Sequence, residues 1–552
     1  MTRRFRAPTA AALPGTALTG TILTGVVLAG AVLAGCTATT PEPVAPSTVP
    51  SGPPTTLRVL AGSELADLEP VLDDAERATG VRVELEFTGS LDGAQKVAEG
   101  KADGAHDALW FSSTRYLRTI PEARDRLGPE VQVMTSPVVL GLREPVAREL
   151  GWDRAPVRWS DVAAAVDRGA LTFAMTDPAA SNTGFSALVA VATALDGGGR
   201  ALDLDAIARV SGALSRLFTG HRVTAGSSEW LGDAFVRRAT GEDPGGPVDA
   251  LITYEASLLS LNRSGKLSEP LVPVYPQDGV VSADYPLTVL AGASPEARDA
   301  HRRLGEYLRG PEAQRAIVEL TARRPAVPGV PQPPDVPATL VEIPFPDNRA
   351  VVDALLDAYA DRLRRPARTV YVLDVSGSME GERIDQLKRA LTGLTGVDRS
   401  LSGRSCRFRG REEVVLLPFS QAPGAPLSFT VDETAPEASL ASVRAAVEGL
   451  AAGGDTAVYD SVIRAHDLIG DPGDRFTSIV LMTDGENRQG AGLAEYRAFL
   501  SGRAGAVPVF PILFGEAAEG EMREVARITG GALWDARHDP LDRAFCQIRG
   551  YQ

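Results

Sequence analysis

Asp374-Val375-Ser376-Gly377-Ser378 follows directly on an apolar run, Thr369-Val370-Tyr371-Val372-Leu373. Its reading decides the fold of the C-terminal part of the chain. The run has the β-branched and aromatic character of a buried strand, and the polar residues fall on the turn that leaves it. A carboxylate and two hydroxyls at i, i+2 and i+4 on such a turn converge their oxygens on one point above the sheet. Small, hard divalent cations prefer all-oxygen sites, and Mg²⁺ keeps open positions for water or an incoming ligand. Two further segments supply the missing oxygens. Gly454-Asp455-Thr456-Ala457-Val458-Tyr459-Asp460 opens a helical pattern, and Ile479-Val480-Leu481-Met482-Thr483-Asp484-Gly485 ends a second apolar strand. A DxSxS alone is explained about as well by a capping turn. Three segments in order, each in the right context, favour the metal.

This order, Asp-x-Ser-x-Ser, then a Thr, then an Asp, resembles the metal-ion-dependent adhesion site of the von Willebrand factor type A family. The resemblance implies that Asp374, Ser376, Ser378, Thr456 and Asp484 hold a Mg²⁺ directly or through water, with Mn²⁺ or Ca²⁺ as alternatives. Two carboxylates and neutral hydroxyls leave the ion undersaturated, so a partner protein could add an acidic side chain as a further ligand. Around the motif, Ile384, Leu387, Leu391 and Leu394 recur at helical spacing, Glu413 to Phe419 reads as a strand, and Val458, Val462, Ala465 and Ile469 mark a helix. Ala506 to Phe514 looks like a late strand whose two prolines indicate an edge or a bulge. The expectation for 367–552 is a doubly wound, Rossmann-like α/β domain of the von Willebrand factor A type, with the ion at the carboxyl ends of central strands. Asn348 to Arg364 reads as a bridging helix, giving a helical linker at 346–366.

Between residues 57 and 345 strands and helices alternate. Thr56-Leu57-Arg58-Val59-Leu60-Ala61, Val81 to Phe87 and Ala108 to Phe111 are strand runs, each followed by hydroxyls and glycines. Polar loops at strand carboxyl ends point to an open parallel sheet that binds a ligand there. The segment order resembles the extracellular solute-binding proteins of ABC importers, the two-lobed periplasmic-binding-protein type II fold. The stretches that carry the likeness are Ala61-Gly62-Ser63, Thr176-Asp177-Pro178 with Ser181-Asn182-Thr183-Gly184, Tyr254-Glu255 and Asp284-Tyr285-Pro286. The resemblance implies one lobe at 57–136 plus 271–345 and another at 137–270, with crossings near Met134-Thr135-Ser136 and Val272-Pro273-Val274. Ser63, Ser90, Ser112, Ser181 and Tyr254 are the candidate ligand-binding residues for a small solute. A helix start with hydroxyls and free N–H groups suits an oxyanion or carboxylate. Ser181 serves equally as a plain N-cap.

The first residues give an address. Arg3, Arg4 and Arg6 precede an apolar stretch from about Ala11 to Gly35, which stops at Leu33-Ala34-Gly35-Cys36. Small residues before a cleavage point mark a secretory signal, here 1–35. Cys36 resembles the lipobox cysteine of bacterial lipoproteins, which implies a thioether-linked diacylglycerol and an N-acyl (palmitate) chain, hence lipid anchoring to the cell membrane on its extracytoplasmic face. An uncleaved membrane-spanning helix is the alternative. Residues 36–56, rich in Pro, Thr and Ser, read as an extended tether. With Cys36 lipidated, Cys406 and Cys546 remain, either as a disulfide in an oxidising compartment or as two buried thiols.

A chain of 552 residues exceeds a single core, and 44% hydrophobic with 23% charged residues is ordinary for globular protein. A formal net charge of −15 argues against nucleic acid as partner. The five histidines form no HExxH, and neither a Gly-x-Ser-x-Gly elbow nor a Walker A loop occurs, so the chain is read as a binding protein and not an enzyme. Metal-dependent hydrolysis would need a positioned base or a second metal that the sequence does not offer. The expected function is Mg²⁺-dependent protein binding joined to a solute-binding-like module. A substrate-binding receptor of an ABC importer is the alternative.

Overall fold

The computed structural model describes residues 54–551 apart from 244, 399–400, 504–506, 516–517 and 538–539. The signal segment, the lipidation of Cys36 and the tether up to residue 53 lie outside the described residues. Three sheets organise the rest.

The first sheet begins with β1 (Thr55–Gly62), β2 (Val81–Thr88) and β3 (Ala108–Trp110), all parallel. Leu57, Val59 and Ala61 alternate into the core from β1, while β3 is buried on both faces. β4 (Leu127–Gln132) completes its far edge. The chain then enters β5 (Met134–Leu142), which joins β6 (Phe173–Thr176), β7 (His221–Ala225), β8 (Ala250–Tyr254), β9 (Val272–Val274) and β10 (Ser282–Ala283) in a second sheet. It returns through β11 (Pro286–Leu290), inserted between β3 and β4 as an antiparallel strand, and β12 (Arg324–Pro325) closes back onto Met134 and Thr135.

Two crossings between two sheets give the expected two-lobed, mixed α/β architecture. The outward crossing falls next to Met134, where it was expected. The return does not fall at Val272–Val274. Those residues pair with Leu140–Leu142 inside the second sheet, and the chain recrosses between Ala283 and Pro286.

The helix Arg349–Ala358 continues as a wider π-turn to Leu363 and packs on the second lobe, with Tyr359 edge-on to Phe218 at 5.0 Å. It leads into the third sheet: β13 (Ala367–Asp374), β14 (Glu413–Phe419), β15 (Leu427–Thr430), β16 (Phe476–Thr483), β17 (Val509–Leu513) and β18 (Trp534–Asp535). The order is β15-β14-β13-β16-β17-β18, with only β15 antiparallel. Tyr371, Leu373 and Leu416 pack on one face against Leu387 and Leu391, and Val370, Val372 and Leu417 on the other against Val458 and Val462. Helices thus cover both faces, the doubly wound arrangement expected. β17 is not the sheet edge that its prolines indicated, because β18 lies outside it. β18 pairs only at Ile512 and Leu513, so Pro511 is spared a partner strand on that side.

Cys406, at the end of the helix Leu401–Cys406, is bridged to Cys546 in the last helix, Leu541–Arg549, with their Cα atoms 4.9 Å apart. That last helix is further tied down by a buried ion pair. Arg549 Nη2 donates to Glu412 Oε2 at 2.7 Å, and Nη1 donates to the other carboxylate oxygen.

Candidate functional site

β13 and β16 are neighbouring central strands, so their carboxyl ends bring Asp374 and Thr483-Asp484 side by side. The chemistry gathers there. Asp374 is fully buried, and both its oxygens are engaged: Oδ1 accepts from Ser376 N at 2.8 Å and Oδ2 from Thr483 Oγ1 at 2.7 Å. Ser376 Oγ and Ser378 Oγ are 3.0 Å apart, and Ser378 Oγ donates to Asp484 Oδ1 at 2.8 Å. Thr456 arrives from the third segment. A methyl group built on Gly485 would stand 4.0 Å from both Ser378 Oγ and Thr456 Oγ1, so the two hydroxyls face the same small space. The loops are laced together by Gly377 N donating to Gly454 O at 2.9 Å. Gly515 backs the site at φ +63°, where a Cβ would meet Asp484 Cβ at 3.0 Å, so only glycine fits. All five residues singled out in the sequence therefore meet.

Burial pushes the Asp374 carboxyl above its usual range, opposed by the hydrogen bonds from Ser376 and Thr483. Asp484, 1% exposed, faces a cation already: Arg383 Nη1 donates to its Oδ2 at 2.5 Å and to Ser378 O at 3.3 Å. The Arg383 side chain is 39% exposed, so it lies over the rim and does not plug the core of the site. A buried carboxylate bonded to a part-exposed guanidinium edge and ringed by hydroxyls is a donor set that fits a hard divalent ion. Asp484, Ser376, Ser378 and Thr456 would hold it, and Asp374, its oxygens committed to Ser376 and Thr483, would act through water. Among the described residues no group of three or more His, Cys, Asp or Glu could hold a metal, so two carboxylates with hydroxyls are the available chemistry.

A second concave site lies between the two lobes. Its recess, about 440 Å³, is lined by Ser63, Ser112 and Ser181 among others. Tyr254 lies beneath, fully buried, with its hydroxyl turned toward Ser112, Ser186 and Thr183, and burial raises its pKa. Ser181 Oγ accepts from Thr183 N at 3.3 Å, so it is the N-cap of the helix Asn182–Asp196 as well as a wall of the recess. Ser90 opens the helix Ser90–Ala98, and its side chain lies outside the described residues.

Sequence reasoning missed the charged floor of this recess. Arg323, 3% exposed, donates Nη1 to both Asp67 oxygens at 2.8 and 2.7 Å and Nη2 to Glu64 O at 2.7 Å, and lies 5.0 Å from the Tyr285 ring centroid. Tyr285 holds φ +38°, a strained conformation for a non-glycine residue, and its hydroxyl donates to Glu64 at 3.1 Å. Burial raises the Glu64 carboxyl against the pull of Arg323. Asp284-Tyr285-Pro286 gave a local signal for one member of the cluster. Arg323 gave none, since it comes from 256 residues beyond Asp67.

Residues 57–319 match the family model described as bacterial extracellular solute-binding protein. This first module is solute-binding-protein-like. The match covers less than half of the 552 residues. Among solved structures, the chain is similar to the sulfate-binding protein SubI from Mycobacterium tuberculosis H37Rv, at 21% identity and TM-score 0.39, covering 50% of this chain and 88% of that one. The periplasmic binding protein AfuA from Actinobacillus pleuropneumoniae, with exogenous fructose-6-phosphate bound, aligns at 14% identity and TM-score 0.44, over 57% and 99%. A von Willebrand factor type A structure from Catenulispora acidiphila aligns at 18% identity and TM-score 0.29, over 34% of this chain and 42% of that one, so less than half of its length is spanned. No curated protein matches the chain. Among the described residues no helix is long and apolar enough to cross a membrane.

Proposed function

We propose that this chain is an extracytoplasmic, lipid-anchored binding protein whose terminal domain captures another protein through a divalent cation, Mg²⁺ first, while the two-lobed module takes a small solute. The observation that carries the terminal part of this reading is the meeting of Asp374, Ser376, Ser378, Thr456 and Asp484 from three separated loops. When bound, the ion would offer an open coordination position to a partner's carboxylate. The chain's own residues supply the rest. Ser378 fixes the Asp484 carboxylate by hydrogen bonding, Thr483 and the Ser376 amide fix Asp374, and the fully buried strand ends keep bulk water from one side.

The test is capture from envelope extract by the purified chain with Mg²⁺, with EDTA, and by Asp374→Ala. Capture by the native chain with Mg²⁺ alone supports the reading, and capture retained in EDTA contradicts it. The alternative of a transport receptor for an ABC importer is favoured by the recess and the two crossings. Against it stands the terminal module, which touches both lobes. Arg543 of the last helix lies 3.7 Å from Asp92 of the first lobe, and Thr224 Oγ1 of the second lobe donates to Gly550 O at 3.4 Å. Lobes tied together in this way cannot hinge freely around a solute.

A further inference from the structure

The recess between the two lobes carries charge of both signs. On its floor one guanidinium serves two carboxylates: Arg323 donates Nη1 to both oxygens of Asp67 and acts electrostatically on Glu64 as well. Glu64 itself lines the recess, and its Oε2 accepts from the Tyr285 hydroxyl at 3.1 Å. A carboxylate has room for further donors. Burial is the largest influence on the Glu64 carboxyl and raises it, and a cation beside it would oppose that rise. Of the other charged groups lining the recess, Asp233 is paired with Lys266 at 3.0 Å, and Glu229 is exposed.

The wall from the second lobe is positive through its backbone. The helices Asn182–Asp196 and Ser228–Thr240 both bring their N-terminal turns to the recess, where the first amide groups have no carbonyl partner within their own helix. The caps of these helices, Ser181 and Ser227, accept from Thr183 N and Trp230 N, each at 3.3 Å. Thr183 Oγ1 and Ser228 Oγ lie 2.9 Å apart and tie the two turns together. Ser112 stands beside both Glu64 and the Tyr254 hydroxyl, and Thr183 stands beside that same hydroxyl, so one small molecule can touch both poles. Two hydroxyls here have no hydrogen-bond partner among the described residues: Thr88 Oγ1 on the recess wall, 6% exposed, and Tyr254 Oη, fully buried and not bonded to the hydroxyls near it. Buried polar groups of that kind point to a ligand or water that bonds them.

We propose that the recess binds a small zwitterion of the amino-acid type, its ammonium against Glu64 and its carboxylate at the paired N-terminal turns, which rests on the two-lobed module taking a solute and names the class of that solute. A simple oxyanion such as sulfate would suit the turns but set a second negative charge near Glu64. A neutral sugar would suit the hydroxyls and neither pole.

The experiment titrates the full chain calorimetrically with the common L-amino acids one at a time, with sulfate and glucose as rival probes, and follows thermal unfolding alongside. At least one amino acid is expected to bind at one per chain and to raise the melting temperature. For that amino acid, the amine lacking its carboxyl group and the acid lacking its amino group should each bind at least about tenfold more weakly, since each loses one charged pole. Glu64→Gln should weaken the amino acid by a similar factor and leave the acid lacking its amino group unchanged or tighter, which general damage to the recess would not do. The native chain with the two analogues carries the test if Glu64→Gln fails to fold. Sulfate or glucose bound with no amino acid overturns this inference and leaves the solute-binding reading standing. No probe bound overturns the inference and counts against that reading as well. Amino-acid binding that ignores both analogues and Glu64→Gln overturns the inference too.

Discussion

At the proposed cation site Arg383 and a divalent ion would compete for the same carboxylate, so Arg383→Ala should bind Mg²⁺ more tightly than the native chain. Arg383 Nη1 donates to Asp484 Oδ2 at 2.5 Å, and Asp484 is 1% exposed. A hydrogen bond to a charged group is worth about 1.5–3 kcal/mol when buried. The Arg383 side chain is 39% exposed, and solvent screening lowers that figure to about 1–2 kcal/mol. Releasing the guanidinium is a step the native chain must take and the variant need not, which converts to a gain of roughly 5- to 30-fold in metal affinity. A second consequence follows from burial. Without Arg383 or metal, Asp484 is a buried carboxylate with no cation beside it, so the metal-free variant should melt below the native chain and regain more on adding Mg²⁺. Calorimetric titration of MgCl₂ into chelator-stripped chain, paired with thermal unfolding with and without Mg²⁺, reads both effects. Equal or weaker Mg²⁺ affinity in Arg383→Ala would refute the reasoning, because it would mean that Asp484 is not a ligand.

Three further outcomes test the packing that holds the site in place. Removing the disulfide with Cys406→Ser and Cys546→Ser frees a loop of sequence separation 140, and chain entropy sets the loss at about 5 kcal/mol as an upper figure, read from denaturant unfolding. His221 and His466 are buried, and burial lowers each to about 4 from the ordinary 6.5. Folding favours their neutral forms, so their contribution is complete above pH 6.5 and is lost as pH falls toward 4. A stability–pH profile should decline through that window and flatten in His221→Gln and His466→Gln. Glu412→Gln leaves Arg549 buried with a weakened partner and should destabilise by about 3–5 kcal/mol in urea, far more than loss of the exposed pair between Arg302 and Glu306.

The loops that meet at the carboxyl ends of β13 and β16 were legible because each carries its context in a few consecutive residues: an apolar strand, then the oxygen, on the turn that leaves it. The disulfide was legible from parity. Arg383 was not, although it lies one turn beyond the motif, because nothing local tells whether an arginine turns toward a carboxylate or to solvent. The recess was legible only as serines after strands. Its Arg323–Asp67–Glu64 floor assembles across more than 250 residues, and no pattern of period two or four reports such a meeting. The return crossing was misplaced because Val272-Pro273-Val274 looks alike as connector or strand. Pairing with Leu140–Leu142 decides it, and that pairing is non-local. The prolines of β17 were read as an edge or a bulge, and β17 is not the edge, because β18 pairs with it at Ile512 and Leu513, beyond Pro511.

The most direct measurement is titration of chelator-stripped chain with Mn²⁺, followed by the loss of free-ion paramagnetic signal. One bound ion per chain, displaced by Mg²⁺ and absent in both Asp484→Ala and the double variant Ser376→Ala/Ser378→Ala, is the predicted result. Binding that survives in both variants, or no binding in the native chain, would contradict the claim that these loops gather to hold a cation.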